Sequence, residues 1–305
     1  MLKVWGAALA ALSVLPAAAV AQDESTYDTW GGWTPDGASL VGYSYSFGDA
    51  ELIEIDVETG HWTRLTDNDS NDWFPVVSPD NRYIAYVSDR GFEAFGGSEI
   101  YVRDRHSGEE RAITADGSLK LGIAISPDGQ RLVFPAPGID GERDVWMVNM
   151  DGTGLVNLTQ TDEFSETTPS FSADGQRIFF TRGLAGENAS EDHAPLMSMD
   201  LHGGDVRVEI DLGGRIMAAR QREDGVLLFS MRDRTGNRNL ARFDPLSGEV
   251  DVLTHHEASD HAGFWSPDGS MISFSTYRWG DSEIYLMNAD GSRQRNLTRT
   301  TQDAD

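Results

Sequence analysis

An all-β fold, a six-bladed β-propeller of four-stranded antiparallel blades, is what this sequence predicts, and three observations predict it. An apolar run enters a turn of the type Ser-Pro-Asp-Gly six times, at Asp36, Asp80, Asp128, Asp174, Asp224 and Asp268. Consecutive copies lie 44, 48, 46, 50 and 44 residues apart, a period that belongs to repeat architectures. Each unit holds short runs rich in β-branched and aromatic residues, separated by turn residues. A linear β-solenoid needs about 20–30 residues per coil. A radial ring fits the period and leaves only short, protected sheet edges.

The elements follow in chain order. Residues 1–21 read as a cleavable signal peptide: Lys3, an uncharged stretch from Val4 to Val20, then Ala19-Val20-Ala21 before Gln22-Asp23-Glu24. These are a positive n-region, an apolar h-region and a small-x-small cleavage site, with cleavage after Ala21. An uncleaved anchor is the rival reading, and no later stretch is apolar enough to span a bilayer. The mature chain, residues 22–305, is then periplasmic or secreted, without stable membrane insertion, and forms one propeller. Its blades run over about 28–66, 72–114, 120–159, 166–212, 216–254 and 260–298.

Blade two shows the logic. Phe74-Pro75-Val76-Val77 leads into Ser78-Pro79-Asp80-Asn81, then Tyr83 to Ser88, then Glu99-Ile100-Tyr101-Val102, then Arg111 to Thr114. Pro presets φ at the second turn position, and Gly or Asn accepts the left-handed conformation that closes the turn. The sixth, third and first units repeat this pattern. The fourth has Ala173 in place of Pro, and the fifth replaces the turn with Arg222-Glu223-Asp224-Gly225. Each unit starts at its innermost strand, so ring closure falls to packing of the last blade on the first.

The run Ser-Pro-Asp-Gly, then Ile-Ala-Tyr-Val-Ser-Asp-Arg at 84–90, then Glu-Ile-Tyr-x-Met-Asn-Ala-Asp-Gly at 283–291, then Asn-Leu-Thr at 296–298 resembles the WD40-like PD40 repeat of TolB-type propellers. The resemblance extends over essentially the whole mature chain. TolB carries an additional N-terminal α/β domain, for which the sequence before the first blade leaves no room. Similar propellers precede prolyl-oligopeptidase-like hydrolases and form oligogalacturonate lyases, so the resemblance implies a fold and no single chemistry.

Composition narrows the function. Net charge is −26, or −27 once Lys3 leaves with the signal. Such a surface repels nucleic acid and anionic lipid and favours a cation or a basic partner. The chain has no cysteine, which excludes disulfides, thiol catalysis and lipidation through cysteine. No Gly-x-Ser-x-Gly elbow, P-loop or Rossmann fingerprint occurs.

The eighth residue before each turn Asp marks the entry to the innermost strand: Asp28, Asp72, Lys120, Glu166, Ile216 and Asp260. Four carboxylates and a lysine would then ring one channel mouth, with His261, Trp30 and Trp73 beside them. His193 and the loop from Phe92 to Gly97 would overhang it. The ring is either a ligand or partner site, or a feature of the repeat that caps the strand. As a metal site its carboxylates Asp28, Asp72, Glu166 and Asp260 suit calcium, a hard cation that takes oxygen ligands. Asp67 to Asp72 resembles an EF-hand start but has Asp72 where Gly is needed and Ser78 where Glu is needed. His255-His256-Glu257 and His261 are a weaker transition-metal candidate. Arg90, Arg182, Arg232 and Arg278 recur near the ends of second strands and are expected to pair with aspartates between blades.

These residues support a non-enzymatic binding scaffold for an envelope protein or basic peptide, with no catalytic residue assigned. A metal-assisted lyase or hydrolase of a small polar or carbohydrate substrate at the mouth is the alternative.

Overall fold

The computed structural model describes residues 28–93, 96–186, 193–232, 236–280 and 282–298, and of residues 28–31 the backbone alone. The signal segment at 1–21 lies outside the described residues. Six four-stranded antiparallel sheets form, each a meander of consecutive strands, and among the described residues there is no α-helix.

The innermost strands are Asp28–Trp33, Asp72–Val77, Ala124–Ile125, Phe164–Phe171, Ile216–Gln221 and Asp260–Trp265. Second strands such as Tyr83–Ser88 and Arg131–Pro137 pair with them, followed by third strands such as Glu99–Asp104 and outer strands such as Glu110–Ala112. The Ser-x-Asp-Gly turns and the turns between third and outer strands share one face, called here the turn face. The second-to-third loops and the connections between blades share the other, the loop face.

Each turn is closed by its own side chains. Thr34, Ser78, Ser126, Ser172 and Ser266 donate their hydroxyls to Asp36, Asp80, Asp128, Asp174 and Asp268 at 2.5–2.6 Å. The same hydroxyl oxygens accept the backbone N–H five residues on, at 2.8–3.0 Å. Each Asp also accepts the N–H two residues on, the Asx geometry these residues favour. In blade five the Arg222 guanidinium replaces the hydroxyl and binds Asp224 at 2.6 and 2.9 Å. Asn81 takes the left-handed conformation, φ 60°, where the other blades have Gly.

Second strands carry consecutive apolar residues because neighbouring blades cover both of their faces. Leu132 and Phe134 pack towards blade two while Val133 packs towards blade four. Likewise Phe179 faces blade five while Ile178 and Phe180 face blade three. The ring closes the same way. Leu40, Ile53 and Ile55 of blade one pack on Ile284, Leu286 and Leu297 of blade six. Among the described residues no strand is shared across that seam; Trp33 Nε1 donates to Phe264 O at 3.2 Å and Arg295 to Val57 O at 2.9 Å.

Leu286 is fully buried in the seam, whereas Leu246 is 92% exposed on the turn face. Leu286→Ala is expected to lower the unfolding free energy by about 2–5 kcal/mol, and Leu246→Ala to change it by less than about 0.5 kcal/mol, as read from urea denaturation. Equal effects would mean the seam carries no closure energy.

Candidate functional site

The described side chains at the entry positions of the innermost strands are buried rather than open to the channel. Asp72, Lys120, Glu166 and Asp260 are each 0% exposed. A bulge explains part of this. Two residues after the entry position the backbone turns left-handed in every blade where it is described: Phe74, Gly122, Thr168, Ala218 and Ala262 have φ of 49–88°. Register slips there between the innermost and second strands of blades one, two, four, five and six. Bulges re-aim side chains, and a β-branched Thr168 or bulky Phe74 with positive φ is strained.

Each buried carboxylate meets an arginine from its own blade. Glu166 lies opposite Arg182 in the register and accepts its Nε–H at 2.9 Å, with Thr161 donating at 2.9 and 3.1 Å. Asp260 lies opposite Thr276 and accepts from Arg278 Nη2 at 2.9 Å. Asp72 lies opposite Ser88, accepts from Asn68 at 2.8 Å and sits 3.6 Å from Arg90, which also binds Glu110 at 3.0 Å. The pairs expected between blades are therefore within them. Antiparallel pairing places the end of a second strand beside the start of the first, nearer than any residue of the next blade. Burial pushes the Asp72 carboxyl up to about 6, against the pull of Ser88, Asn68 and Arg90. Burial also raises Glu166.

Lys120 is a strut. Its ammonium donates to Ser98 O at 2.9 Å, Asp116 at 2.5 Å, Ser118 O at 2.9 Å and Glu99 at 3.3 Å, tying blade two to the entry of blade three. Trp73 is buried and donates its indole N–H to Tyr45 O–H at 2.8 Å across to blade one. His261 is half-buried and stacks on Tyr277 at 5.3 Å, with Nδ1 lacking a partner among the described residues. Burial, and then the charge of Arg238, lower its pKa to about 4. The side chains of Asp28 and Trp30 lie outside the described residues, as do residues 94–95 and 187–192 of the two overhanging loops. His193 bonds Asp211 at 3.0 Å.

Among the described residues no three His, Asp or Glu side chains are grouped so that they could hold a metal ion. Asn68 and Asn71 of the 67–72 stretch spend their side chains on Asp72 and Asp89.

A second row of acids went unread in the sequence. Glu51, Glu99, Asp144 and Glu283 open or flank the third strands and are buried. Fifteen residues on stand Thr66, Thr114, Thr159 and Thr298, whose hydroxyls accept the N–H of Leu52, Ile100, Val145 and Ile284 at 2.9–3.1 Å. Thr114, Thr159 and Thr298 donate onward to Glu99, Asp144 and Glu283. The constant spacing of fifteen was the available signal.

Also unread was the distribution of exposed apolar side chains. Tyr45, Phe92, Ile139, Leu184, Tyr277 and Trp279 all lie in or at the end of second-to-third hairpins, on the loop face of five blades. Leu155, Val206 and Leu246 are exposed in third-to-outer turns on the opposite face, and Trp62, Val156, Val208 and Val252 on outer strands.

The model of the PD40 TolB β-propeller domain matches residues 28–136 and 96–305. The chain belongs to that family. A TolB structure from Acinetobacter baumannii superposes with TM-score 0.68 and 20% identity, over 89% of this chain and 63% of that one. This chain is also similar to an uncharacterized protein of Agrobacterium fabrum, 30% identical over half of this chain and 54% of the relative. It is similar as well to a Tol-Pal system protein TolB of Anaeromyxobacter dehalogenans, 26% identical over 61% of this chain and 42% of the relative. The chain thus spans about half the length of the curated relatives it matches.

Two predictions follow the buried charges of this TolB-family ring. The folded state binds the Asp72 proton more tightly than the unfolded chain does, so that contribution to stability is full below pH 3.8 and lost as pH rises through about 6. The gap corresponds to about 3 kcal/mol. Asp72→Asn should therefore gain on the native protein by about that amount between pH 4 and pH 7 in urea titrations; a difference independent of pH would overturn the reading. His261 is neutral in the fold, and its ring C–H resonances should titrate with a midpoint near 4 rather than 6.5.

Proposed function

We propose that this propeller is an exported, non-enzymatic binding scaffold whose loop face docks an envelope protein or a basic peptide. One observation carries the reading: of the five aromatic side chains exposed among the described residues, Tyr45, Phe92, Tyr277 and Trp279 lie on that face and Trp62 on an outer strand. Ile139 is fully exposed and Trp279 is 62% exposed. Apolar side chains clustered on one face of a rigid frame mark interaction surfaces more often than they serve solubility. Tyr and Trp supply most of the energy of such contacts.

Electrostatics adds direction. A chain with 50 acidic against 24 basic residues steers a basic partner towards itself and slows an acidic one. Asp72, Glu166 and Asp260 take no part in contact, because they are buried and paired. They hold the blades whose loops make the surface. The signal-like segment at 1–21 supports export to the periplasm, and the relatives' name supports a place beside the Tol–Pal system.

The test is capture of envelope proteins on immobilised mature chain, residues 22–305, compared with a variant carrying Tyr45→Ser, Phe92→Ser, Ile139→Ser and Trp279→Ser. The native chain is expected to retain a partner at about 0.1 M salt and release part of it at about 0.5 M, where the Debye length is a few ångströms. The variant is expected to lose it by at least about tenfold while keeping the native melting temperature. An identical captured set on both proteins would overturn the assignment of the face.

A further inference from the structure

At the turn-face end of the channel lies a cavity of ≈ 250 Å³ walled by all six blades. Repeat register gives one layer of its lining: the fourth residue before each turn Asp is Gly32, Val76, Ala124, Ser170, Arg220 or Phe264. Arg220 is the one charged member. Trp33, Phe171 and Trp265 add aromatic wall. The wall is held stiffly: Trp33 and Trp265 donate their indole N–H to the carbonyls of Phe264 and Arg220, each in the preceding blade, at 3.2 Å. Ser170 Oγ donates to Ala219 O at 2.7 Å.

The Arg220 guanidinium lies over the Phe264 ring, 5.0 Å from its centroid, and donates to its neighbour Ala219 O at 3.0 Å. No carboxylate among the described residues pairs with it. Arg182 and Arg278, by contrast, each hold a buried acid at 2.9 Å. Arg220 is half-buried, and crowding by protein without an opposite charge lowers its pKa to about 10. A guanidinium has five N–H donors in a planar fork, so this one presents donors to the cavity that the protein itself leaves for another group. In an apolar surround an uncompensated cation is destabilising, and an anion placed against it restores the balance.

We infer that this cavity is a binding site for a small monocarboxylate on an apolar or aromatic body, with Arg220 as the carboxylate anchor. The fork of an arginine matches a carboxylate in two parallel hydrogen bonds. A phosphate dianion fits less well, because one guanidinium neutralises half its charge and the rest would be desolvated among aromatic rings. The volume is below the about 300 Å³ at which pockets for drug-sized ligands begin. The occupant is therefore one ring with a short acid arm: a free aromatic acid, or the last residue of a peptide entering carboxylate first. The surrounding turn aspartates oppose any anion at long range, so binding is measured at about 0.15 M salt, where that field is screened beyond about 8 Å.

The experiment is calorimetric titration of the mature chain with 3-phenylpropionate and with 3-phenylpropanamide, which differ only in the charged oxygen. A parallel pair is a tripeptide ending in Phe, with a free or an amidated terminus. Charge-assisted hydrogen bonding predicts that an acid binds about 10- to 100-fold tighter than its amide. Tighter binding of the free-terminus peptide than of phenylpropionate assigns the source as a chain terminus, and the reverse order assigns it as a free acid. Arg220→Gln should erase the preference for acid while leaving the melting temperature of the ligand-free protein unchanged or higher, because a cation without a partner is removed. Equal affinity of acid and amide in the native protein, no binding of either acid, or a preference that survives Arg220→Gln would overturn the site. The native-protein comparison holds whether or not the variant folds.

Discussion

In five blades a single hydroxyl–carboxylate hydrogen bond sets the hairpin on which the rest is hung. The Ser or Thr oxygen accepts the N–H that starts the second strand while its proton goes to the turn Asp. Three groups are satisfied within six residues, and the exit direction of the second strand is fixed. These aspartates stay ionised to lower pH than usual, the hydroxyl being the largest cause in Asp80, Asp128 and Asp174. At the opposite corner of the blade the Thr hydroxyl ties outer strand to third strand. A blade is thus pinned at two diagonal corners, and what lies between is free to carry apolar side chains that neighbouring blades bury. Without that pinning, consecutive apolar residues such as Leu132, Val133 and Phe134 would have no reason to choose which neighbour each one faces.

Much of this was legible in the residues. The Asp-Gly turns gave the number of blades and the phase of each repeat, because a turn demands particular residues at particular positions. Even blade five, with Arg222 in place of the hydroxyl, keeps Asp224 and Gly225 and folds as a complete blade. Counting back from the turn reaches Asp72 and Asp260 at the first residue of their strands and Glu166 two residues inside its own. Their surroundings were not legible, since counting assumes an unbroken strand and a bulge lies between entry and turn. Phe74 and Thr168 give no warning of positive φ, being residue types that rarely adopt it. The arginine partners were legible as a recurring feature but not as to blade, because choosing between intrablade and interblade pairing needs the register. The channel cavity was missed for a simpler reason. It is assembled from one to three residues of each of six segments, and none of those residues is unusual until the six are placed side by side.

Charge and apolarity have exchanged the roles that composition suggests. An acidic chain invites the expectation of an acidic recognition surface, yet Asp72, Glu166 and Asp260, counted as its rim, are inside, each with a cationic or hydroxyl partner. Removing one partner of such a pair is costly because the other charge stays buried. The loop face also carries exposed aromatic and aliphatic side chains such as Phe92, Ile139 and Trp279, in loops whose lengths differ between blades. The frame is built from repeated polar pairs and the surface from unrepeated apolar ones, which lets the surface vary without disturbing the frame.

The seam between blades six and one has a bearing on how the chain comes to be folded at all. Leu40, Ile53 and Ile55 are made early, and the residues that cover them, Ile284, Leu286 and Leu297, about 230 residues later. Every other interface joins segments that follow one another closely and can form as synthesis proceeds. The first blade therefore spends nearly the whole period of chain elongation with one flank bare, and the incomplete crescent displays a greasy edge at each tip. Joining those tips is the step of longest sequence separation and so the slowest in loop-closure terms. It is also the step at which two crescents from different chains could join each other instead of themselves. A ring whose described residues seal the join by side-chain packing places its risk of misassembly at one moment and one place.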